Sequence, residues 1–457
     1  MTVRQVSLVL HRWFGLVTAA FLIFVALTGS ILALRPQLDR WLSPERYATP
    51  RPGVPQLDLA TLLDRIQPLI PPDKVLDMVS IEPDRVRVGL IPHALTLSID
   101  AIEQRLGMSM QEFQEQMRKL GFFARLSKMA EMRRKLRDVL PTQADLSTLY
   151  VDPWTGKQLA RVDSGRDLMG FIYSLHYSLG LGGTGARVLG VIAVLWTLDC
   201  FVAFYLTLPV RRRAGTTVSA SAPSWWARWK PAWLIKTNSG FYRLNLDLHR
   251  ANGLWLWLML FVFAWSSVML NLPSVYTPVT KTLFGYESAR EINARRPKLN
   301  PNGGPPPSFT EILMTGQRLA ADEGARRGMV VGEPIAVMTI PPALARVILR
   351  SADPACKAAT DTDKCLVLEF ASQTATVTSF RIGDERRYVG NDVSAWLHDL
   401  HVARPFGLAY QIFVFIIGLV ITLLSVTGVY IWWKKRSVRK RSTARKTEAR
   451  HTAEAYL

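Results

Sequence analysis

The stretch LHRWFGLVTAAFLIFVALTGSILAL, residues 10–34, places a histidine directly before an apolar run long enough to cross a membrane. Its opening motif, Leu10-His11-Arg12-Trp13-Phe14-Gly15-Leu16, recurs as Leu248-His249-Arg250-Ala251-Asn252-Gly253-Leu254. A second matched pair of dipeptides, Leu175-His176 and Leu400-His401, also precedes apolar runs. The chain has only seven histidines, so four of them in matched positions beside apolar segments indicate a shared role.

Four apolar runs of this chain can each form a membrane-spanning helix. A span needs about 20 apolar residues to cross about 30 Å of hydrocarbon. Three of the runs carry no charged residue, and the second contains only Asp199. The first run lacks the cleavage site of a removable signal peptide. We therefore predict an α-helical membrane protein with four transmembrane helices. The first lies in the segment 1–34, after the N-terminal residues, and the others occupy 188–210, 251–272 and 405–433.

The charge of the segments between the spans predicts the orientation of the chain. Lys and Arg are concentrated before the first span, in the loop at 211–250 and in the tail at 434–457. Because basic loops remain in the cytoplasm, both termini are predicted to be cytoplasmic. The long segments 35–187 and 273–404 then lie outside. This topology accounts for the net charge of +20, and nucleic-acid binding is not expected.

Both outer segments show the pattern of one helix packed on a small antiparallel sheet, which predicts two α+β domains. The first has a helical pattern at 57–70 and strand-like runs at 75–81, 85–91, 149–152 and 158–162. The second has a helical pattern at 309–323 and strand-like runs at 335–340, 345–350, 366–370 and 376–382. The order of span, outer domain, histidine and span thus occurs twice, as two parallel repeats.

The first outer domain also contains an insertion at 98–142. Its segments 111–117 and 125–137 predict two amphipathic helices, and five methionines lie within it: Met108, Met110, Met117, Met129 and Met132. A thioether copper site is one interpretation. No histidine or cysteine accompanies these methionines, so helix packing is the simpler explanation. The basic helix could instead contact lipid headgroups or an anionic ligand.

The four matched histidines suit two haem irons. His11 and His249 begin spans that leave the cytoplasm, whereas His176 and His401 lie outside, on short helices predicted at 167–179 and 392–402. An iron with imidazole on both sides has no open position, which suits electron transfer rather than oxygen binding. The alternative is a set of interfacial histidines whose rings are in contact with water.

Arginines near these histidines offer partners for the haem propionates. Arg12 and Arg250 follow the inner histidines, and Arg187 and Arg404 lie outside. Each could pair with a propionate, or could anchor its span by reaching into the headgroups.

Two further ionisable residues are candidates for proton or substrate chemistry. Asp199 lies inside a span and could carry protons from a quinol, or it could form a hydrogen bond with a neighbouring helix. His398 lies three residues before His401, on the same helical face. It could replace His401 as a ligand, or bind or protonate substrate, although the match to His176 favours His401.

Two of the three cysteines bracket a polar loop in the second outer domain. An oxidising compartment would allow Cys356 and Cys365 to form a disulfide; two free thiols are the alternative. Cys200 lies within the second span and is expected to be a packing residue.

Several motifs spread along the chain carry a family resemblance. They are LHRWFGL at 10–16 with ALTG at 26–29, LYVDPWTG at 149–156, DLHR at 247–250 with GLW at 253–255, and LSVTGVYIWW at 424–433. Together they resemble the PepSY-associated transmembrane family of bacterial inner-membrane proteins. The resemblance covers nearly the whole chain except the insertion. It implies an inner-membrane location and two PepSY-like domains in the periplasm.

The resemblance also implies an activity. The family includes iron-regulated proteins and siderophore reductases, in which b-type haems carry electrons across the membrane to ferric iron. It implies one haem b held by His11 and His249, a second held by His176 and His401, and a periplasmic ferric siderophore or other ferric chelate as substrate. No glycine-rich dinucleotide motif follows a strand, so a quinol or a soluble reductase is expected as electron donor.

Two other functions remain open from the sequence. The outer domains could bind a periplasmic peptide or protein, with the spans as a non-enzymatic membrane anchor. The protein could also handle haem or copper, with the methionines of the insertion as possible metal ligands.

Overall fold

Two units make up the chain, a helical one and one built on a β-sheet. The helical unit consists of Met1–Gln37, Phe171–Ser288 and Arg387–Leu457, and the other of Leu38–Gly170 and Ala289–Arg386. The computed structural model describes residues 2–92, 107–121, 124, 127–128, 131–132, 146–163, 167–210, 223–297, 307–340, 343–354, 356, 364–382 and 388–455.

The elements follow the order expected from the sequence. In these ranges the helices are α1 (Val3–Ala33), α2 (Arg35–Leu42), α3 (Leu59–Ile66), α4 (Met110–Lys119), α5 (Leu168–Ser178), α6 (Gly182–Thr207), α7 (Trp225–Trp229), α8 (Phe241–Trp255), α9 (Trp257–Asn271), α10 (Pro273–Phe284), α11 (Ala289–Ala294), α12 (Phe309–Arg327), α13 (Val389–His401) and α14 (Gly407–Ala455). The strands are β1 (Lys74–Glu82), β2 (Arg85–Pro92), β3 (Ser147–Val151), β4 (Gln158–Asp163), β5 (Pro334–Ile340), β6 (Leu344–Leu349), β7 (Leu366–Ala371) and β8 (Val377–Ile382).

Three helices are long and apolar enough to cross a membrane: α1, α6 and the Gly407–Val438 part of α14. Helices α8 and α9 meet the same criterion only as a pair, which is bent by 70°. The predicted third span at 251–272 is therefore not one straight helix. His249 lies on α8, before the bend at Leu256, rather than at the start of a continuous span. Asn252 and Gly253, both weak helix formers, immediately precede this bend.

Small residues allow the helices of the bundle to approach one another closely. A Cβ atom on Gly418 of α14 would lie only 2.1 Å from Ser30 Oγ of α1. The Ser30 hydroxyl donates to the Phe415 carbonyl of the same partner helix, at 3.1 Å. A Cβ atom on Gly190 of α6 would lie 2.8 Å from the Leu272 side chain at the end of α9. Such close contacts are typical of membrane helices, which associate through packing and hydrogen bonds.

Described residues that flank the three basic segments lie at one end of the helical bundle. Arg4, in the first turn of α1, donates to the carbonyls of Leu206 and Leu208, where α6 ends, at 2.8 and 3.1 Å. At the start of α8, the Phe241 ring packs edge-on against Tyr430 of α14, with 5.4 Å between the ring centroids. The N terminus, the loop after α6 and the C-terminal tail can therefore occupy one compartment.

Among the described residues of the second unit, eight strands form one antiparallel sheet, in the order β4-β3-β2-β1-β5-β6-β7-β8. All eight strands predicted from the sequence are present. Strand β1 of the first segment pairs with β5 of the second, and Val79 lies opposite Val337. The two segments thus share one sheet instead of forming two separate domains. This pairing covers one otherwise exposed edge of each half, which is a common requirement in β-proteins.

Helices α3 and α12 cover the same face of this sheet. Leu62 and Ile66 of α3 and Leu313 of α12 are fully or almost fully buried against alternate strand residues such as Val79 and Val347. Burial of one such side chain stabilises the fold by about 1.5–3 kcal/mol. The strand alternation and the helical spacing therefore specify a common core.

A disulfide joins Cys356 and Cys365. The predicted disulfide is therefore confirmed, and the alternative of two free thiols is wrong. It packs against Ile335, Ala336 and Ile348 in a separate small cluster. Cys200 is buried with a free thiol.

The first of the two helices predicted in the insertion is present as α4. The Ser109 hydroxyl accepts from the Glu112 backbone N–H and caps the helix, and the Glu112 carboxylate accepts from the Ser109 backbone N–H. Most of the second predicted helix, 125–137, lies outside the described residues, so the alternatives for the methionines stay predictions.

Candidate functional site

Two pairs of histidine rings face each other in the helical unit. His11 of α1 and His249 of α8 have their ring centroids 6.1 Å apart, with 57° between the ring planes. His176 of α5 and His401 of α13 show nearly the same geometry, 6.1 Å and 58°. The four histidines that the sequence singled out are thus brought together two by two, and the two pairs are alike.

Each of the four rings is held through its Nδ1 atom. His11 is bonded to the Asp199 carboxylate of α6, at 2.9 Å, and His401 to the Ser266 hydroxyl of α9, at 2.7 Å. His176 contacts the Val25 carbonyl at 2.9 Å and Thr28 Oγ1 at 3.1 Å, both on α1. His249 contacts the Leu424 carbonyl at 3.0 Å and Thr427 Oγ1 at 3.2 Å, both on α14. An acceptor at Nδ1 fixes the tautomer that leaves Nε2 as the ligand atom.

Two glycines make room for the rings of His176 and His249. A Cβ atom on Gly29 would lie 2.8 Å from Cε1 of His176, and one on Gly428 would lie 3.2 Å from Cε1 of His249. Each glycine follows the threonine that contacts the same ring. The dipeptides Thr28-Gly29 and Thr427-Gly428 therefore form two matched sites, in which the threonine contacts an imidazole ring and the glycine leaves space for it.

Burial keeps the rings outside the spans neutral. Burial lowers the pKa of His176. Burial, together with the neighbouring His176 and His398, lowers the pKa of His401 to about 3. A neutral imidazole is the form that binds a metal ion.

His398 does not share the position of His401. Its Nδ1 atom lies 3.0 Å from the Asp399 carboxylate, and its side chain is 38% exposed. The ring that faces His176 is that of His401. On the same surface, Arg404 also binds Asp399, at 2.9 Å, so this outer arginine already has an acidic partner.

The arginines next to the inner histidines each retain an unsatisfied group. The Nε atoms of Arg12 and Arg250 are buried without a hydrogen-bond partner. Arg250 otherwise binds the Asp247 carboxylate at 2.9 Å, and the Arg12 guanidinium lies 5.6 Å from the Trp13 ring centroid. Arg187 is exposed and donates to Thr184. The buried Nε atoms are positions where an anionic group, such as a propionate, would find a donor.

The sequence interpretation gave Asp199 other roles and missed several further residues around the histidines. Asp199 was considered as a proton carrier or as a partner of a neighbouring helix, and the structure places it against His11. Asp247 is fully buried and binds both Arg243 and Arg250. Hydroxyl groups at Thr28, Thr427 and Ser266 were not identified. The repeated Thr-Gly dipeptide in two apolar runs was the available signal for the first two.

The spacing of these contacts follows the repeat in the sequence. Thr28 lies 17 residues after His11 (28 − 11), and Ser266 lies 17 residues after His249 (266 − 249). Each of these hydroxyls contacts a histidine of the other pair. Because α1 is one continuous helix that rises 1.5 Å per residue, the two pairs are separated by about 25 Å along its axis. This separation is close to the thickness of the hydrocarbon layer, about 30 Å.

The separation of the two rings in each pair can be compared with the separation that a haem would require. Within the described ranges, no group of three or more His, Cys, Asp or Glu residues could hold a bare metal ion. A haem brings its own four nitrogen ligands and needs at most two from the protein. An iron bonded to the Nε2 atoms of two facing imidazoles at about 2 Å each would place the ring centroids about 6 Å apart. Both pairs have this separation.

Comparison with known proteins gives one family. No curated protein matches the chain. The family model described as the PepSY-associated TM region matches residues 8–435, which is nearly the whole length and includes all four histidines of the two pairs. The chain therefore belongs to the PepSY-associated transmembrane family.

Proposed function

We propose that this protein is a transmembrane electron-transfer protein with two haem b groups, which reduces a ferric siderophore or another ferric chelate on the periplasmic side. One haem would be held by His11 and His249, and the other by His176 and His401. The proposal includes a bacterial inner-membrane location with both termini in the cytoplasm.

The observation that carries this proposal is the presence of two pairs of partly buried histidine rings with nearly equal geometry. Interfacial histidines in contact with water would not need rings 6.1 Å apart at both sites, a polar acceptor on each Nδ1 atom, and glycines opposite two of the rings. These features together support the proposal that each pair of neutral imidazoles would hold one haem.

The residues of the chain have defined tasks in this proposal. Bound haem supplies one-electron chemistry, which no protein side chain of the pairs provides by itself. Asp199, Thr28, Thr427 and Ser266 orient the ligand rings. Arg12 and Arg250 offer buried donors to the propionates.

The choice of substrate rests on the family and on the chemistry of iron. Ferric iron is a hard cation that oxygen ligands hold tightly, and reduction to ferrous iron weakens this hold. Release by reduction requires only that electrons be delivered, without a nucleophile or a general base. The electron donor would be a quinol or a soluble reductase on the cytoplasmic side.

The test is an optical spectrum of the full-length protein purified from haem-replete cells. We expect a b-type Soret band with two haems per chain. Replacing His11 or His401 by Ala should remove about half of the haem. His398→Ala is the matched control, since this ring lies three residues away on α13 and should leave the haem content unchanged.

Turnover is tested separately. The dithionite-reduced protein should be reoxidised by ferric chelates in a stopped-flow experiment, and the His401→Ala variant should be much slower. A colourless protein, or one in which all four histidines can be replaced without loss of haem, would refute the proposed function.

A further inference from the structure

The two histidine pairs differ in the charge of one hydrogen-bond acceptor. At His176 and His401, the Nδ1 atoms contact the Val25 carbonyl and the hydroxyls of Thr28 and Ser266, which are all neutral. At His249, the acceptors are also neutral, namely a carbonyl and a hydroxyl of α14. His11 alone of these four rings is bonded to a carboxylate, that of Asp199.

The contact between His11 and Asp199 is close, and it joins a half-buried ring to a largely buried carboxylate. Both carboxylate oxygens lie near Nδ1, at 2.9 and 3.1 Å. Asp199 is 8% exposed and lies about two thirds of the way along the apolar helix α6. A charge in such surroundings acts more strongly on its neighbours than it would in water.

A carboxylate at Nδ1 makes the imidazole a better electron donor at Nε2. It would also place negative charge near a haem iron held by this pair. Both effects favour the ferric state, which carries one more positive charge than the ferrous state. The geometry of the two pairs is otherwise equal, so this difference should separate their reduction potentials.

We propose that Asp199 sets the direction of electron flow, by lowering the potential at His11 and His249 below that at His176 and His401. This inference rests on the proposed function. Asp199 thereby favours transfer of one electron from ferrous iron at the first pair, which becomes ferric, to ferric iron at the second pair, which becomes ferrous. The electron is supplied by the external reductant and leaves to the ferric chelate, so each transfer is balanced.

The assignment is consistent with the topology of the bundle. The His11 and His249 pair lies at the end that holds the residues flanking the basic segments, because His11 follows Arg4 by two turns of α1. Electrons would therefore run from this end toward the opposite end. Asp199 acts through His11 and is a positioning residue rather than a ligand.

The experiment is a spectroelectrochemical titration of the full-length protein containing both haems. Asp199→Asn keeps the size of the side chain and can still accept a hydrogen bond, but it removes the charge. We expect one of the two midpoint potentials to rise, so that the electron-transfer equilibrium between the haems changes at least tenfold, or about 59 mV for a one-electron couple. The other potential should not move. Arg12 and Arg250 are unchanged in the variant, so the comparison isolates the carboxylate.

Three further variants make the result specific. His249→Ala should remove the wave that shifts in Asp199→Asn, which assigns that wave to the His11 pair. Asp199→Glu should restore most of the wild-type potential. Ser266→Asp should lower the other potential, because it places a carboxylate at His401.

The outcomes separate this inference from the proposed function. If both haems bind and Asp199→Asn shifts neither potential, or shifts its wave downward, the inference is overturned while the haem protein stands. If the wild-type chain binds no haem, the proposed function itself fails.

Discussion

Replacing Gly29 by Ala should weaken the His176 and His401 pair without weakening helix α1. A Cβ atom at this position would lie 2.8 Å from Cε1 of His176, whereas two carbon atoms in good contact are about 3.5–4.0 Å apart. The ring would have to move by about 0.7 Å or more, although Thr28 and Val25 hold it from the same helix.

The expected cost follows from overpacking. Extra atoms in a tightly packed site cost about 1–3 kcal/mol, which corresponds to about a 5- to 150-fold loss of affinity for a ligand held by this pair. Ala is a better helix former than Gly by up to about 1 kcal/mol, so the helix itself gains stability. The loss should therefore appear in haem retention and not in helix content.

The assay measures haem content and the rate of haem loss to an excess of apomyoglobin. Gly15→Ala is the matched control, because it lies in the same helix and a Cβ atom there has nothing within 4 Å. Gly428→Ala should have a smaller effect on the other pair, since its Cβ atom would lie 3.2 Å from His249. If Gly29→Ala retains both haems as well as Gly15→Ala does, the proposal that Gly29 leaves the space needed by the His176 ring is wrong.

Three further predictions concern stability and can be measured by thermal or denaturant unfolding of the full-length protein. Replacing both Cys356 and Cys365 by Ser should destabilise the sheet unit by about 2–3 kcal/mol, because the disulfide closes a loop with a sequence separation of 9; unchanged stability would contradict this. Ala375 has a left-handed backbone conformation, with φ 52°. Ala375→Gly should therefore stabilise the protein by up to about 1 kcal/mol, a value from which the larger entropy of the unfolded glycine chain has been subtracted. A loss of stability would argue against this backbone conformation. Asp247→Asn should cost about 1–3 kcal/mol, because it leaves Arg243 and Arg250 without their buried carboxylate, whereas Asp322→Asn, in which an exposed residue of α12 is changed, should be nearly neutral.

The strands could be predicted closely because their pattern is local. Alternation and flanking turn residues define β1 to within one residue of its predicted limits, and the turn after β3 is set by Asp152, whose Oδ1 accepts from the Trp154 and Thr155 amides. The pairing of β1 with β5 was not predictable, because it joins Val79 to Val337 across more than 250 residues. A periodic pattern identifies the buried face of a strand but not its partner.

The histidines of the site could be found from the sequence, whereas the groups that hold them could not. The repeated Leu-His motifs identified all four rings, and the short helices α5 and α13 agree with those predicted around His176 and His401. The bend between α8 and α9 was missed because hydropathy records the composition of a segment and not its direction. Ser266 and Thr28 were missed because hydroxyl residues are common in membrane helices, where they usually bond to their own backbone.

Helix α1 touches both histidine pairs. It carries His11 in its third turn and presents Thr28 and Gly29 to His176 near its other end. One uninterrupted helix thus determines both the distance between the two histidine pairs and their relative rotation about the helix axis. Inserting a single residue between them would turn one end by about 100° relative to the other and lengthen the helix by about 1.5 Å. Substitutions along the lipid-facing side of α1 should be tolerated, whereas insertions and deletions between residues 12 and 27 should not, and this sensitivity to length should be far greater than that of the loops in the sheet unit.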